Sequence, residues 1–294
     1  VLKFNNATFL LGYGHQLSPT WKFTANIASA WRPPNVGELY SFGKHQFNVE
    51  YGFWRYEIDE SGDISTSGVG DQNSKPVKSE KGLKGLLSLE YKKEKVNAEV
   101  VAYANRIVDY FFLRPYGVTN TSRGPFPYFI HDQTNALFYG VDFDMRVMHS
   151  ADLTSEIRLA YVHATDSKND QPYLEIPPLN VQYDLKKKIG SWNFGLSAEY
   201  TARQFHAPTV IPVDDFLAGT ESIEPNQTFD FLAAPRGYAL LHSHVEFHQS
   251  KWTFTIHARN MLNTSYRVYM DRLRYFADNP GRNFTLTAQY KFGK

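Results

Sequence analysis

The side chains best able to do chemistry in this chain fall into three groups. Glu38 and His45 share one turn-rich segment, where a neutral imidazole near carboxylates suits zinc and serves iron or haem equally well. Arg114, Tyr116, Arg123, Phe126, Tyr128 and His131 form a basic and aromatic set able to hold an anionic chelate by charge and stacking. His242, His244, Glu246 and His248 alternate along a third stretch, and His257 follows beyond a turn near Ser250. In paired strands His257 faces His242 or His244, according to the register that this turn sets. His45, His242, His244 and His257 are therefore the candidate metal ligands. Residues 207–235 add Asp214, Asp215, Glu221, Glu224 and Asp230 with no Lys or Arg, a negative field that attracts cations and disfavours highly anionic chelates. Nothing here pairs a nucleophile with a base, and Cys is absent, so the chemistry on offer is binding and no catalytic residue is assigned.

The elements that position these groups follow from composition and period. The 294 residues are 42% hydrophobic and 16% aromatic, but their apolar stretches are short and interrupted, which excludes spanning helices of about 20 residues. A net charge of +1 with no basic run among exposed aromatics argues against nucleic acid as a partner. The absence of Cys excludes disulfides and thiolate metal sites. The chain begins at Val1 without a signal-like segment, although the reading below requires export.

Strict alternation of apolar and polar residues recurs throughout. Phe284, Leu286, Ala288, Tyr290 and Phe292 share one face, and Asn283, Thr285, Thr287, Gln289 and Lys291 the other. The same split runs through Trp21–Ile27, Trp192–Ala198 and Leu137–Met145. About eleven strands result, near residues 4 to 16, 21 to 33, 80 to 93, 95 to 113, 134 to 149, 152 to 165, 177 to 187, 191 to 206, 236 to 249, 251 to 263 and 281 to 292. Short turns alternate with long segments near 34 to 79, 114 to 133, 166 to 176, 207 to 235 and 264 to 280, the arrangement of a membrane barrel with short periplasmic turns and long extracellular loops. Trp21, Trp192 and Trp252 follow short turns, and Trp31, Tyr110 and Phe112 lie toward the opposite ends, as two aromatic girdles. The expected fold is all-β, a transmembrane antiparallel up-and-down β-barrel. An odd number of strands leaves two open edges, so these are read as the C-terminal strands of a barrel of about 22. Phe23, Ile27, Phe194, Leu196, Phe254 and Ile256 should face lipid, and Lys22, Asn193, Glu199, Thr255 and His257 the lumen.

Four stretches resemble the TonB-dependent receptor family. They are Trp31-Arg32-Pro33-Pro34 through Glu38-Leu39-Tyr40, Ser79-Glu80-Lys81-Gly82-Leu83-Lys84-Gly85-Leu86, Asn135 through Gly140-Val141-Asp142, and Asn260-Met261-Leu262-Asn263 through Tyr266 followed by Pro280-Gly281-Arg282-Asn283. The second departs from the family pattern in carrying Gly85 or Leu86 near a usual Glu. The tail departs too, since Gly293 and Lys294 follow Phe292 where the family ends on an aromatic residue. Glu38-Leu39-Tyr40-Ser41 through His45 is similar to a segment of a subgroup that includes zinc transporters.

The resemblance implies a bacterial outer-membrane receptor, with residues 1–294 as the C-terminal half of the barrel and the plug domain and first barrel half absent from the sequence. It implies TonB as partner through the missing N-terminal region, a plug in the lumen, outer-membrane lipid around the wall and a metal-chelate ligand, with a ferric siderophore first and zinc or haem as alternatives. It implies no cofactor. Lumen-facing polar groups such as Asp142, Asp144, Arg146, Glu156 and Arg158 are then expected to bind plug and water, and the histidine row reads the same way before it reads as a metal site. A passive porin, an outer-membrane hydrolase and a soluble β-rich module are the rival classes. The first lacks the terminal signature, the second needs a nucleophile beside a His, and the third would dissolve without detergent.

Overall fold

In the computed structural model, residues 3–45, 47–58, 64–65, 75–221, 223–224 and 226–292 are described. Gly293 and Lys294 lie outside them.

Eleven long strands form one antiparallel sheet in which each pairs with the next in sequence. They are β1 (Phe9–Gln16), β2 (Trp21–Arg32), β3 (Glu80–Lys93), β4 (Val96–Thr121), β5 (Gly124–Ser150), β6 (Leu153–Asp166), β7 (Asn180–Ile189), β8 (Trp192–Thr201), β9 (Tyr238–Gln249), β10 (Trp252–Arg259) and β11 (Asn283–Tyr290). Among the described residues β1 and β11 do not pair with each other, and both are exposed along their whole length. The sheet is an open arc of a barrel.

Register converts sequence alternation into two faces. Phe194, Val245, Ile256 and Leu286 fall in one cross-strand row, and Asn193, Glu246, Thr255 and Thr287 in the next. The first row is the outer wall and the second lines the lumen. At the short-turn end of the outer wall Trp21 packs at a tilt against Tyr91, Trp192 against Phe247 and Trp252 against Tyr290, with ring centroids 4.8, 4.5 and 4.9 Å apart. On the luminal face Arg158 bridges Asp184 at 2.5 Å and Glu156 at 3.3 Å.

One expectation fails instructively. The segment 114–133 is no loop, because β4 and β5, 26 and 27 residues long, continue into it and turn only between Thr121 and Gly124. At about 3.3 Å per residue this hairpin is roughly 85 Å long, far beyond what a bilayer needs. Pro115 falls at a bulge, where a missing N–H is tolerated, and Gly117 lets the Tyr128 ring approach, since a Cβ there would lie 2.7 Å from Tyr128 Cε1. An earlier bulge between Ile107 and Tyr110, with Asp109 at φ 56°, changes which way the strand faces. Tyr110 and Phe112, expected in the upper girdle, therefore pack on Tyr173 at 5.5 and 5.3 Å.

The buried apolar side chains lie at the long-loop end, in three clusters. Phe111 of the hairpin packs with Leu39, Phe53 and Trp54; Phe129 with Ile211, Phe229 and Phe231; Ala136 with Ala164 and Tyr173. The hairpin is the spine on which the loops condense.

Candidate functional site

Locally, the first long loop is set by its own sequence. Asn35 caps the short helix Val36–Tyr40 by accepting from the Glu38 amide at 2.8 Å, and the Glu38 carboxylate accepts in return from the Asn35 amide at 2.8 Å. Glu38 also binds Arg32 at 2.7 Å, and Arg32 forks onto Glu80, whose Oε1 accepts from the Phe111 amide at 2.8 Å. Glu38, proposed from sequence as a ligand group, is thus occupied in fastening the loop to the rim of β2 and β3.

The next segment folds back. Phe42–Lys44 pairs with Val49–Tyr51, and the latter adds a parallel strand to β5 at Tyr128–Ile130. This addition delivers Glu50 between two histidines distant in sequence. His45 Nε2 and His131 Nε2 each stand 3.8 Å from Glu50 Oε2, while Glu50 Oε1 accepts from Asn48 and from Arg272, both at 2.8 Å. Arg272 also forks onto Glu175 at 2.7 and 3.0 Å and lies over the Phe129 ring. Burial works to raise the Glu50 carboxyl, but His131, Asn48, Arg272 and His45 together hold it down at about 2. Burial likewise opposes the charge on Arg272, and Glu175 and Glu50 more than restore it.

On the hairpin the sequence-proposed basic and aromatic set divides. Arg114 is buried, paired with Asp132 at 3.1 Å and set 5.5 Å from the Tyr116 ring. Tyr116, Tyr128, Tyr51 and Phe42 follow as a run of rings with centroids 6.0, 5.8 and 5.6 Å apart. Arg123 is exposed at the hairpin tip, away from Arg114. Near the base of the same loops the Lys75 ammonium, desolvated by burial, is lowered to about 8 and donates to the carbonyls of Phe53 and Tyr56.

The acidic segment is less negative than its sequence. Asp214, Glu221 and Glu224 are exposed, but Asp230 is 1% exposed and binds the fully buried Arg274 at 2.5 Å, with the Tyr275 hydroxyl donating at 2.8 Å. Asp230 is therefore no part of a cation-attracting mouth, because its charge is cancelled inside the loop core.

Lower in the lumen the register resolves the histidine row: His257 pairs with His244, with rings 5.8 Å apart. His242 lies one step along and accepts from the Asn260 amide through Nδ1 at 3.1 Å. These side chains, with Glu199 and Tyr266, border a cavity of about 430 Å³. Among the described residues no three His, Asp or Glu side chains converge as a metal-ligand set.

Sequence reasoning flagged His45 and His131 by residue type but missed Glu50, Arg272, Glu175 and Arg274. The Arg272–Glu50 contact spans 222 residues, and no local pattern announces it. The one available signal was the alternation of Arg272 and Arg274 beside tyrosines in an otherwise loop-like stretch.

Comparison with known proteins places this geometry. The sequence pattern described as TonB dependent receptor-like, beta-barrel, matches residues 2–292. No curated protein sequence matches the chain. Among solved structures, the copper transporter OprC superposes with a TM-score of 0.68 at 17% identity, over 96% of this chain and 39% of its own. The siderophore receptor PirA from Acinetobacter baumannii does so with 0.68 at 16%, over 98% and 41%. The ferric enterobactin receptor PfeA from Pseudomonas aeruginosa, as a mutant, gives 0.66 at 12%, over 98% and 40%. The chain thus spans about two-fifths of the length of the structures it resembles.

Proposed function

The chain belongs to the TonB-dependent receptor β-barrel family, and from that premise we propose that it is the C-terminal half of the barrel of an outer-membrane receptor for active uptake of a ferric siderophore. In this reading the rest of the receptor supplies the remaining strands, a plug in the lumen and the segment that engages TonB. The long loops and the hairpin tip face the medium, the short turns face the periplasm, and no catalytic step is assigned.

The observation that carries the ligand class is the run of rings from Phe42 and Tyr51 of the folded-back segment to Tyr128 and Tyr116 of the hairpin, whose tip carries the exposed Arg123. Clustered aromatic rings and an exposed guanidinium suit a large anionic chelate. Withdrawal of Asp230 from the surface favours the same class, since it removes one of the charges that would repel such a ligand. Solved siderophore receptors share the fold.

A second reading, uptake of a bare metal ion, has one observation of its own: His45 and His131 both approach Glu50, and a copper transporter shares the fold. Binding of ferric siderophores and of zinc to the complete receptor separates the two, with wild type compared against Arg123→Ala, Tyr128→Ala and His45→Ala. The siderophore reading expects chelate affinity to fall at least about tenfold in the first two and to stay unchanged in the third. Zinc binding that depends on His45, with chelate binding indifferent to Arg123 and Tyr128, would overturn it in favour of the metal ion.

A further inference from the structure

Five arginines at the long-loop end and in the lumen are matched to acids. Arg32, Arg158, Arg267, Arg272 and Arg274 each lie within 2.7 Å of a carboxylate. Two cations on the wall are different. Among the described residues, no hydrogen bond, ion pair or ring contact engages the side chain of Lys81 or of Arg106.

Their position is fixed by register. Arg106 pairs across β3 with Leu83 and across β5 with Leu137, while Lys81 pairs with Trp31 on one side and Val108 on the other. Leu83, Val108 and Trp31 are 47%, 37% and 37% exposed, so this is the outer apolar wall. The alternate residues Arg32 and Glu80 point the other way and meet each other. Lys81 and Arg106 are diagonal neighbours on adjacent strands, roughly 7 to 8 Å apart at their bases and within common reach of long side chains.

Their height follows from strand geometry. Arg106 lies ten residues beyond Val96, where β4 leaves its short turn. At about 3.3 Å per residue and a tilt near 45°, that is roughly 23 Å above the lower girdle, at the top of an apolar band about 25 Å tall. Trp31 sits at the same level, as an interfacial aromatic should. Cations in the middle of the hydrocarbon would be strongly disfavoured, but at this height they meet lipid headgroups.

From this we infer that Lys81 and Arg106 form a docking site on the outer wall for the phosphate of an anionic lipid in the outward-facing leaflet. The guanidinium fork takes two phosphate oxygens, the ammonium adds a point charge, and the wall around Leu83 and Val108 receives the acyl chains. Trp31 borders the headgroup. The inference rests on the membrane placement given under the proposed function.

The test uses the complete receptor in neutral detergent, titrated with a diphosphorylated glycolipid of the lipid A type, with its dephosphorylated counterpart and with inorganic phosphate. Lys81→Gln/Arg106→Gln should bind the phosphorylated lipid at least about tenfold more weakly than wild type and the dephosphorylated lipid no differently. Lys187→Gln is the control, since Lys187 lies on the same outer wall at the opposite end, paired with Phe194. Unchanged affinity in the double variant, or an equal loss in the Lys187 control, would overturn the site. Inorganic phosphate competing at the concentration of the lipid would overturn the lipid as its occupant. Failure of the membrane placement looks different: wild-type receptor would stay dissolved without detergent and bind neither glycolipid.

Discussion

Replacing Arg274 by Met should loosen the long loops without unfolding the barrel, and the size of the effect follows from the surroundings of one charge. Arg274 and Asp230 are 0% and 1% exposed at their side chains, so no solvent screens the carboxylate that the substitution strands. Removing one member of a buried ion pair costs about 3–5 kcal/mol. Asp230 keeps the Tyr275 hydroxyl as a donor at 2.8 Å, which places the expected loss at the lower end, about 3 kcal/mol. The loss is local because Asp230 joins the 207–235 segment to the 264–280 segment, above the wall. Hydrogen exchange in the complete receptor reads it through the Ile211 amide, which donates to the Asp230 carbonyl at 2.8 Å. Exchange there should accelerate roughly a hundredfold or more, while wall amides such as Val245 keep their protection. Removing both charges, Arg274→Met with Asp230→Leu, should recover most of the loss, since an apolar replacement of a whole buried pair is often neutral. Acceleration below tenfold in the single variant, equivalent to about 1.4 kcal/mol, would refute the claim that this pair holds the loops together.

Two further outcomes are expected. Ile256→Arg, on the outer wall where Ile256 is 52% exposed, should cost about 2–4 kcal/mol when the complete receptor is refolded into lipid vesicles, whereas Thr255→Arg on the luminal row should cost little; equal costs would mean that the faces are misassigned. Glu50 is held at about 2 against an ordinary 4.5, so its folded pKa is depressed and its contribution is fully present above about pH 4.5 and lost as pH falls toward 2. Because the group is partly exposed, the shift is worth about 1–2 kcal/mol after solvent screening. The stability gap between wild type and Glu50→Gln, read by protease resistance of the loops, should therefore close across that window, and a gap constant from pH 5 to 2 would contradict the assignment.

How legible the molecule was depends on the range of the forces that fix each part. The wall could be read almost residue by residue: β3 was expected at 80 to 93 and is Glu80–Lys93, and β8 at 191 to 206 is Trp192–Thr201, because an alternating pattern with a solvated and an apolar side is a local property of the strand. The hairpin could not be read, since Pro115, Gly117, Gly124, Pro125 and Pro127 all signal a loop, and what keeps them in strand is packing of Phe126 and Phe129 by chain from elsewhere. Glu38 is the reverse case, because Asn35 and Glu38 are spaced as a capping box, a local signal that the sequence displays beside the ligand reading that its neighbours suggest.

The Glu50 centre is the hardest case and the most informative. His45, Glu50, His131, Glu175 and Arg272 come from four separate segments, and each alone reads as an ordinary loop residue. What brings them together is the parallel addition of Val49–Tyr51 to the hairpin, a contact made by backbone groups that carry no residue preference. The position of His45 relative to the run of aromatic rings is therefore set by the hairpin, which also carries Tyr128 in that same register opposite Val49. A substitution that breaks this strand addition, such as Glu50→Pro, should displace His45 and the Tyr51 ring together, so chelate and metal-ion binding would both fall and could not be told apart. Only side-chain variants that leave the added strand in place, His45→Ala and Tyr128→Ala among them, can assign the ligand.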